Sequence, residues 1–267
     1  MKECDVNYDF PLDEGCTRED LINVHKRVLQ IAVAVRDVLE RNDIPYFISF
    51  GTLIGAVRHK GFVPWDRDFD IMIEEDDYEG AIECLRRELP KWLILQDQNN
   101  DERYCAFWTK VRDKYSEIET YVYEDDNEFR YKGLHIDLYK LRKSNNVVRD
   151  RLIEEQAFFT RKKKKGLISE SEYEKKCQDI QRKMSQISDV PDGEERYYFL
   201  TLLDTTKNTF EEKIKLEFEG ELFSAPKEYD AYLKNCYYKG DYMVPPPYDK
   251  RRCDIKKILI RDVEEKE

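Results

Sequence analysis

The sequence predicts an α/β (α+β) fold, a mixed sheet flanked by helices, and three observations predict it. Residues 17–43 and 76–89 repeat apolar side chains every three or four positions, as amphipathic helices do. Between and after them lie short runs rich in aliphatic and aromatic residues, bounded by turn formers, which read as strands. Hydrophobic residues make up 40% of the 267 and aromatics 13%, enough for a sizeable core in one unit.

Thr17, three residues before Asp20, is the expected N-cap of the first helix, although Asp is a weaker capping-box partner than Glu or Gln. Leu21, Val24, Val28, Ile31, Val35 and Leu39 form its apolar stripe. His25 falls inside that pattern and reads as a surface or half-buried helix residue, not a ligand. Asn42-Asp43 ends the helix, and Ile44-Pro45 leads into an apolar strand from Tyr46 to Phe50. The strand breaks at Gly51-Thr52. A turn of this kind entering a helix exposes backbone N–H groups, which suit a phosphate.

The basic cluster Arg58-His59-Lys60 follows, then turns at Gly61 and Pro64, then Asp66, Asp68 and Asp70. On a strand these three carboxylates project one way while Phe69, Ile71 and Ile73 project into a core. Carboxylates in a row repel by several kcal/mol at low effective dielectric. A divalent cation with oxygen ligands relieves that repulsion, and Mg²⁺ is the common choice where phosphates also bind.

The second helix carries Tyr78, Ile82, Leu85 and Leu89 and stops at Pro90. Strands are expected at Trp92–Leu95, Tyr104–Arg112, Ile118–Tyr123 and Leu134–Leu141. In the last, His135, Asp137 and Tyr139 share one face. An aspartate between Ile136 and Leu138 is costly to bury unless it meets a cation or hydrogen-bond donors, so Asp137 is a candidate third carboxylate. Residues 147–188 read as a charged helical region with a basic run, Arg161–Lys165, a break at Gly166 and a capping box at Ser169 and Glu172. The basic run reads as a solvated face. Beyond Pro191 come short aromatic segments, a strand-to-turn element at Phe223–Pro226, a short helix at Asp230–Tyr237 and an extended, proline-rich tail. The expected division is a core over 17–142, a helical segment over 143–190 and a C-terminal region over 191–262 completing the site, all in one compact unit.

The net charge of −11 argues against a nucleic-acid binder and against tight association with anionic membranes. No run of 18 apolar residues is present, and the acidic first residues lack a signal-peptide core. The seven cysteines are scattered with no CxxC pair, so neither a zinc site nor a disulfide framework is expected, and a cytoplasmic setting, at most at the inner face of a membrane, is the simplest reading. GxSxG, Walker A and GxGxxG motifs are absent, and His25, His59 and His135 are not spaced as metal ligands.

The stretch GTLIGAVRHKGFVPWDRDFDI closely resembles the signature of the LicD family and is similar to that of the fukutin-type transferases. The likeness continues in FWTKVRD (107–113), in Gly133 to Leu138, and in FEGELFSAPKEYDAYL and YKGDYMVPPP. The resemblance implies a nucleotidyltransferase (polymerase β-like) fold and transfer of a phosphorylated alcohol, phosphocholine foremost, from a CDP-linked donor to a glycan hydroxyl, with CMP leaving. It implies that Asp68, Asp70 and Asp137 hold Mg²⁺ or Mn²⁺, with Asp137 or Asp66 as base. Gly51, Thr52, Arg58, His59, Lys60, Trp65, Lys110, Arg112 and Asp241 fall on the substrate side. Arg67 stands where bacterial members commonly carry Asp, and His135 where an apolar residue is usual. The alternatives are transfer of a nucleoside monophosphate, a sugar-nucleotide glycosyltransferase, and a binding subunit that has kept the fold.

Overall fold

A computed structural model of the chain describes residues 10–122, 124–187, 195–199, 203–237 and 240–263. The expected strand end at 123, the helix end at 188 and the start of the C-terminal region at 191 lie outside the described residues, as do the first nine residues. The fold is α+β, with a curled mixed sheet at its centre.

Helix α1 (Arg18–Arg41) begins with the complete capping box: the Asp20 N–H donates to Thr17 Oγ1 at 3.1 Å and the Thr17 N–H to Asp20 Oδ2 at 3.0 Å. Its stripe is buried as expected, but His25 is buried with it at 5% exposure, a correction to its sequence reading. The expected strand over Tyr46–Phe50 is only β1 (Phe47–Ile48), because Phe50 takes a positive φ of 45° and already opens α2 (Phe50–Arg58). Strand β2 is Asp70–Glu74, so Asp66 and Asp68 sit in the loop before it, not on the strand.

After α3 (Glu75–Glu88) come β3 (Leu93–Gln96), β4 (Thr109–Asp113), β5 (Ser116–Thr120) and the long β6 (His135–Ser144). The central order is β1-β2-β6-β4-β3, with only β2 and β6 parallel. Register is what builds the site. Asp70 pairs with Asp137 across β2 and β6, and Lys110 pairs with Asp137, and Arg112 with His135, across β4 and β6. Residues opposite one another share a face. Helices α1 and α3 cover the other side.

Helices α4 (Val147–Lys164) and α5 (Glu170–Met184) form a hairpin that turns at Gly166, whose φ of 69° suits glycine. It buries only Val147, Leu152 and Ile180 from these helices, in keeping with its charged sequence. Strands β7 (Arg196–Phe199) and β8 (Leu203–Thr206) extend the sheet from β6. The hairpin of β9 (Lys213–Phe218) and β10 (Glu221–Pro226), α6 (Tyr229–Cys236) and β11 (Ile255–Ile260), which pairs with β5, complete the fold. Sequence reading anticipated α6 and the end of β10, but neither β9 nor β11. The six described cysteines are free.

Candidate active site

Phe69 anchors the acidic loop. It is fully buried against Phe62, Phe218 and Phe223, with the last two ring centroids at 5.1 and 5.0 Å. Burying one such side chain contributes about 2 kcal/mol. His25 adds a second tether: its Nε2–H donates to the Asp66 carbonyl at 2.6 Å, and its ring stacks on Phe62 at 4.3 Å. Burial lowers the His25 pKa to about 4, so the ring stays neutral and can hold this bond. The loop is thus held by contacts outside the carboxylates, which frees the carboxylates to face one another.

They do so at the start of α2. A Cβ on Gly51 would stand 2.3 Å from Asp66 Oδ2 and 4.0 Å from Asp70 Oδ2, so only glycine lets these carboxylates lie against the helix. The Asp70 N–H donates to Thr52 Oγ1 at 2.8 Å, locking loop to helix. Asp68 lies beside Asp66 and acts on its carboxyl directly. Burial and then Asp68 push the Asp66 carboxyl well above the usual range; burial, then Asp68, Asp137 and Asp66 do the same to Asp70. Burial also raises Asp137, against the opposing pull of Lys110.

Asp137 differs from the loop carboxylates because it is already served. Its Oδ1 accepts from Lys110 Nζ at 2.9 Å and Trp108 Nε1 at 2.8 Å, and its Oδ2 from the Tyr139 hydroxyl at 3.3 Å. Tyr139 also donates to Asp70 Oδ1 at 3.1 Å and so bridges the two strands. Trp108 reaches Asp137 because the expected strand over 104–112 starts only at Thr109, leaving Trp108 off the ladder.

Lys110 and Arg112 are buried at 4% and 1% exposure, not surface cations. Lys110 also donates to His135 Nε2 at 2.9 Å, and His135 Nδ1 lies 3.2 Å from Arg112 Nη1. Burial and the neighbouring cations hold the His135 pKa well below its ordinary value. Arg112 donates to Gln96, to the Gly133 carbonyl at 2.8 Å and to Asp126 at 3.2 Å. Arg112 therefore lies a layer behind Asp137, with protein acceptors for its fork.

On the other flank, the Arg58 and Arg251 guanidiniums stand 6.0 and 5.1 Å from the Trp65 ring centroid, and His59 meets that ring edge-on at 6.5 Å. Burial and then Arg58 lower the His59 pKa to about 4. Tyr237, at the end of α6, interacts electrostatically with both Arg58 and the loop carboxylates. Lys60 is exposed at the turn after α2, where its carbonyl accepts from Glu219 N at 2.7 Å. Asp241 is exposed and bonds the Met243 N–H at 2.8 Å, as a turn residue. The structure thus gathers Gly51, Thr52, Asp66, Asp68, Asp70 and Asp137, flanks them with Trp65, Arg58, His59 and Lys110, and sets Arg112, Lys60 and Asp241 apart. Sequence reading missed His25, Trp108, Tyr237 and Arg251; only Tyr139 carried a signal, its alternation with Asp137.

The donor set at the loop is all oxygen, half-buried to buried and like-charged, which fits a hard divalent cation in chemistry. Among the described residues no three acidic, imidazole or thiol side chains converge to metal-ligand separation. The fit therefore rests on donor type and uncompensated charge.

Backbone N–H groups at a helix start, clustered carboxylates and flanking guanidiniums are features that suit a phosphate-bearing ligand. The chain belongs to the LicD family: the family profile described as LicD/FKTN/FKRP, nucleotidyltransferase domain, matches residues 43–185, more than half of the chain. It is 27% identical over 252 residues to the lipopolysaccharide cholinephosphotransferase LicD of Haemophilus influenzae, covering 83% of this chain and 91% of that protein. It is 30% identical over 111 residues to mouse ribitol 5-phosphate transferase FKRP, covering 42% of this chain and 19% of that protein. An uncharacterized Rickettsia prowazekii protein is 30% identical over 129 residues, 41% of this chain and 48% of that one.

Proposed function

We propose that the protein transfers a phosphorylated alcohol, phosphocholine foremost, from a CDP-linked donor to a hydroxyl of a cell-surface glycan or its precursor, releasing CMP. The observation that carries this reading is the carboxylate cluster pressed against Gly51 with the two guanidiniums over Trp65 beside it. One arrangement can hold a cation and the other a phosphate, which is what a diphosphate donor needs. The similarity to the Haemophilus cholinephosphotransferase over most of both chains favours choline as the alcohol. The six free cysteines favour a reducing compartment and hence the cytoplasmic side.

Asp68 and Asp70 would hold Mg²⁺ or Mn²⁺, with Asp137 as the third carboxylate. When bound, such an ion supplies charge neutralisation at the diphosphate. Gly51 and Thr52 bring the start of α2 close to the donor phosphates. Lys110 favours the anionic form of Asp137 and orients it, and that same pairing weakens Asp137 as a base. The acceptor hydroxyl proton therefore goes to Asp66, whose carboxyl burial and Asp68 push up against the pull of the neighbouring Arg67.

³¹P NMR of the protein with Mg²⁺ and CDP-choline, CDP-ribitol, CDP-glycerol, CTP or UDP-sugars tests this. CMP formed from one CDP-alcohol in an EDTA-sensitive way supports the reading. The nucleotidyltransferase description of the matched family favours one second reading, transfer of a nucleoside monophosphate. Pyrophosphate released from CTP would select it.

A further inference from the structure

Several of the described arginines near the core hold a carboxylate: Arg27 at 2.8 Å, Arg36 at 2.7 Å, Arg112 at 3.2 Å and Arg67 at 3.6 Å. In a chain of 57 acidic residues and net charge −11 such partners are abundant. Arg58 and Arg251 lack them. Among the described residues, Arg58 donates only to the Tyr242 carbonyl at 2.6 Å and to His59 Nε2 at 2.9 Å, and Arg251 Nε to the Pro246 carbonyl at 2.9 Å. Each guanidinium has five N–H donors, so most are left free.

The two are nonetheless placed together. Both stand over the Trp65 ring, and their mutual repulsion lowers the pKa of Arg58 after burial does. Arg251 is not on a loose tail: three residues on, the Asp254 N–H donates to Asp13 Oδ2 at 2.9 Å, and Cys253 between them is buried. Holding two like charges over one ring without a counter-ion costs energy that an anion would return. Trp65 precedes Asp66 in the chain, so this cation pair and the acidic cluster are neighbours.

We infer that Arg58 and Arg251 form a clamp over Trp65 for the phosphate of the nucleotide half of the donor. This rests on the proposed phosphoryl-alcohol transfer for the choice of phosphate. In that reaction the acceptor oxygen forms a bond to the alcohol-bearing phosphorus and loses its proton to Asp66. The bond from that phosphorus to the bridging oxygen breaks, and its electron pair stays on the departing CMP phosphate. The attacked phosphorus must lie by Asp66, so the adjacent clamp takes the phosphate on which negative charge grows.

The test is calorimetry on the full chain in EDTA, which leaves the carboxylates without a cation and the clamp as the phosphate site. Inorganic pyrophosphate, CMP and cytidine are the probes, with Arg251→Ala, Arg251→Lys and Arg58→Ala as variants and Arg252→Ala as the control. Arg252 neighbours the clamp but pairs with Asp13 at 3.5 Å. The expected result is at least tenfold weaker pyrophosphate and CMP binding in both alanine variants and a smaller loss in Arg251→Lys. Cytidine binding and the Arg252→Ala protein should be unchanged, with melting temperatures equal throughout. Pyrophosphate binding by Arg251→Ala equal to wild type overturns the clamp, as does an equal loss in Arg252→Ala. Loss for pyrophosphate but not for CMP overturns the nucleotide assignment. A wild-type protein that releases no CMP from any CDP-alcohol sinks the underlying reaction, and the pyrophosphate titration still decides the clamp.

Discussion

Two regions of this molecule gather the same kinds of charged side chain and do opposite things with them. Behind Asp137, the layer of Lys110, Arg112, His135, Gln96 and Asp126 pairs cation with acceptor throughout. In front of it, Asp66, Asp68 and Asp70 face one another with Arg67 beside Asp66, while Arg58 and Arg251 face one another without an anion. Pairing makes a charge structural, because removing one member strands another. Leaving like charges together keeps them available for a ligand of opposite sign. The contrast predicts that the two regions respond differently to mutation: the front in activity, the back in stability.

The largest effect is expected at the front. Asp68→Asn or Asp70→Asn should lower CMP release by ~10³-fold or more, the scale of removing a principal electrostatic stabiliser. The melting temperature should hold or rise, since each change removes like-charge repulsion. A variant with near-normal turnover would sink the metal assignment. At the back, Arg112→Met should cost roughly 3–5 kcal/mol in urea denaturation by leaving Asp126 and Gln96 buried without a partner. If Arg112→Met were as stable as wild type but inactive, Arg112 would belong with the front.

His25 tethers the front loop and offers a pH test. Its folded pKa is lowered from 6.5 to about 4, so folding favours the neutral ring. Its contribution is fully present above pH 6.5 and is lost as pH falls toward about 4. The loss reaches about 3 kcal/mol at the acid end, at 1.36 kcal/mol per unit. His25→Gln should flatten the stability curve across that window. The carboxylates work in the opposite sense: with raised folded pKa values, Asp66 and Asp70 favour the fold most at acid pH and progressively less as pH rises through those values. An unchanged slope in His25→Gln would show that groups other than His25 and these carboxylates set the acid limb.

What was legible in the sequence follows from chain distance. Alternation exposed Asp66, Asp68, Asp70 and Asp137, because acid between apolar residues is visible locally. The same alternation misplaced the start of β2, since an extended loop anchored by Phe69 has the pattern of a strand. The Phe69 carbonyl does accept from Asp137 N at 2.9 Å, so the ladder reaches almost as far as the pattern suggested. The burial of Lys110 and Arg112 was not legible, because nothing in TKVRD says that β4 is covered on both faces. His25 is 41 positions from Asp66, and Tyr237 and Arg251 come from beyond α5; their approach depends on the fold.

Gly51 gives the smallest and sharpest test, because it belongs to the front by position alone. A Cβ there would overlap Asp66 Oδ2, the far end of a side chain, so Asp66 can swing aside without moving the backbone. Helix α2 gains slightly from alanine in place of glycine, by about 1 kcal/mol at most. Gly51→Ala should therefore leave the melting temperature level or slightly raised. It should lower kcat by up to ~10²-fold, the cost of an ångström-scale displacement of a reacting group. KM for the donor should change less, since the guanidiniums over Trp65 are untouched. Loss of stability with kcat intact would mean that Asp66 packs the helix and does not serve the reaction.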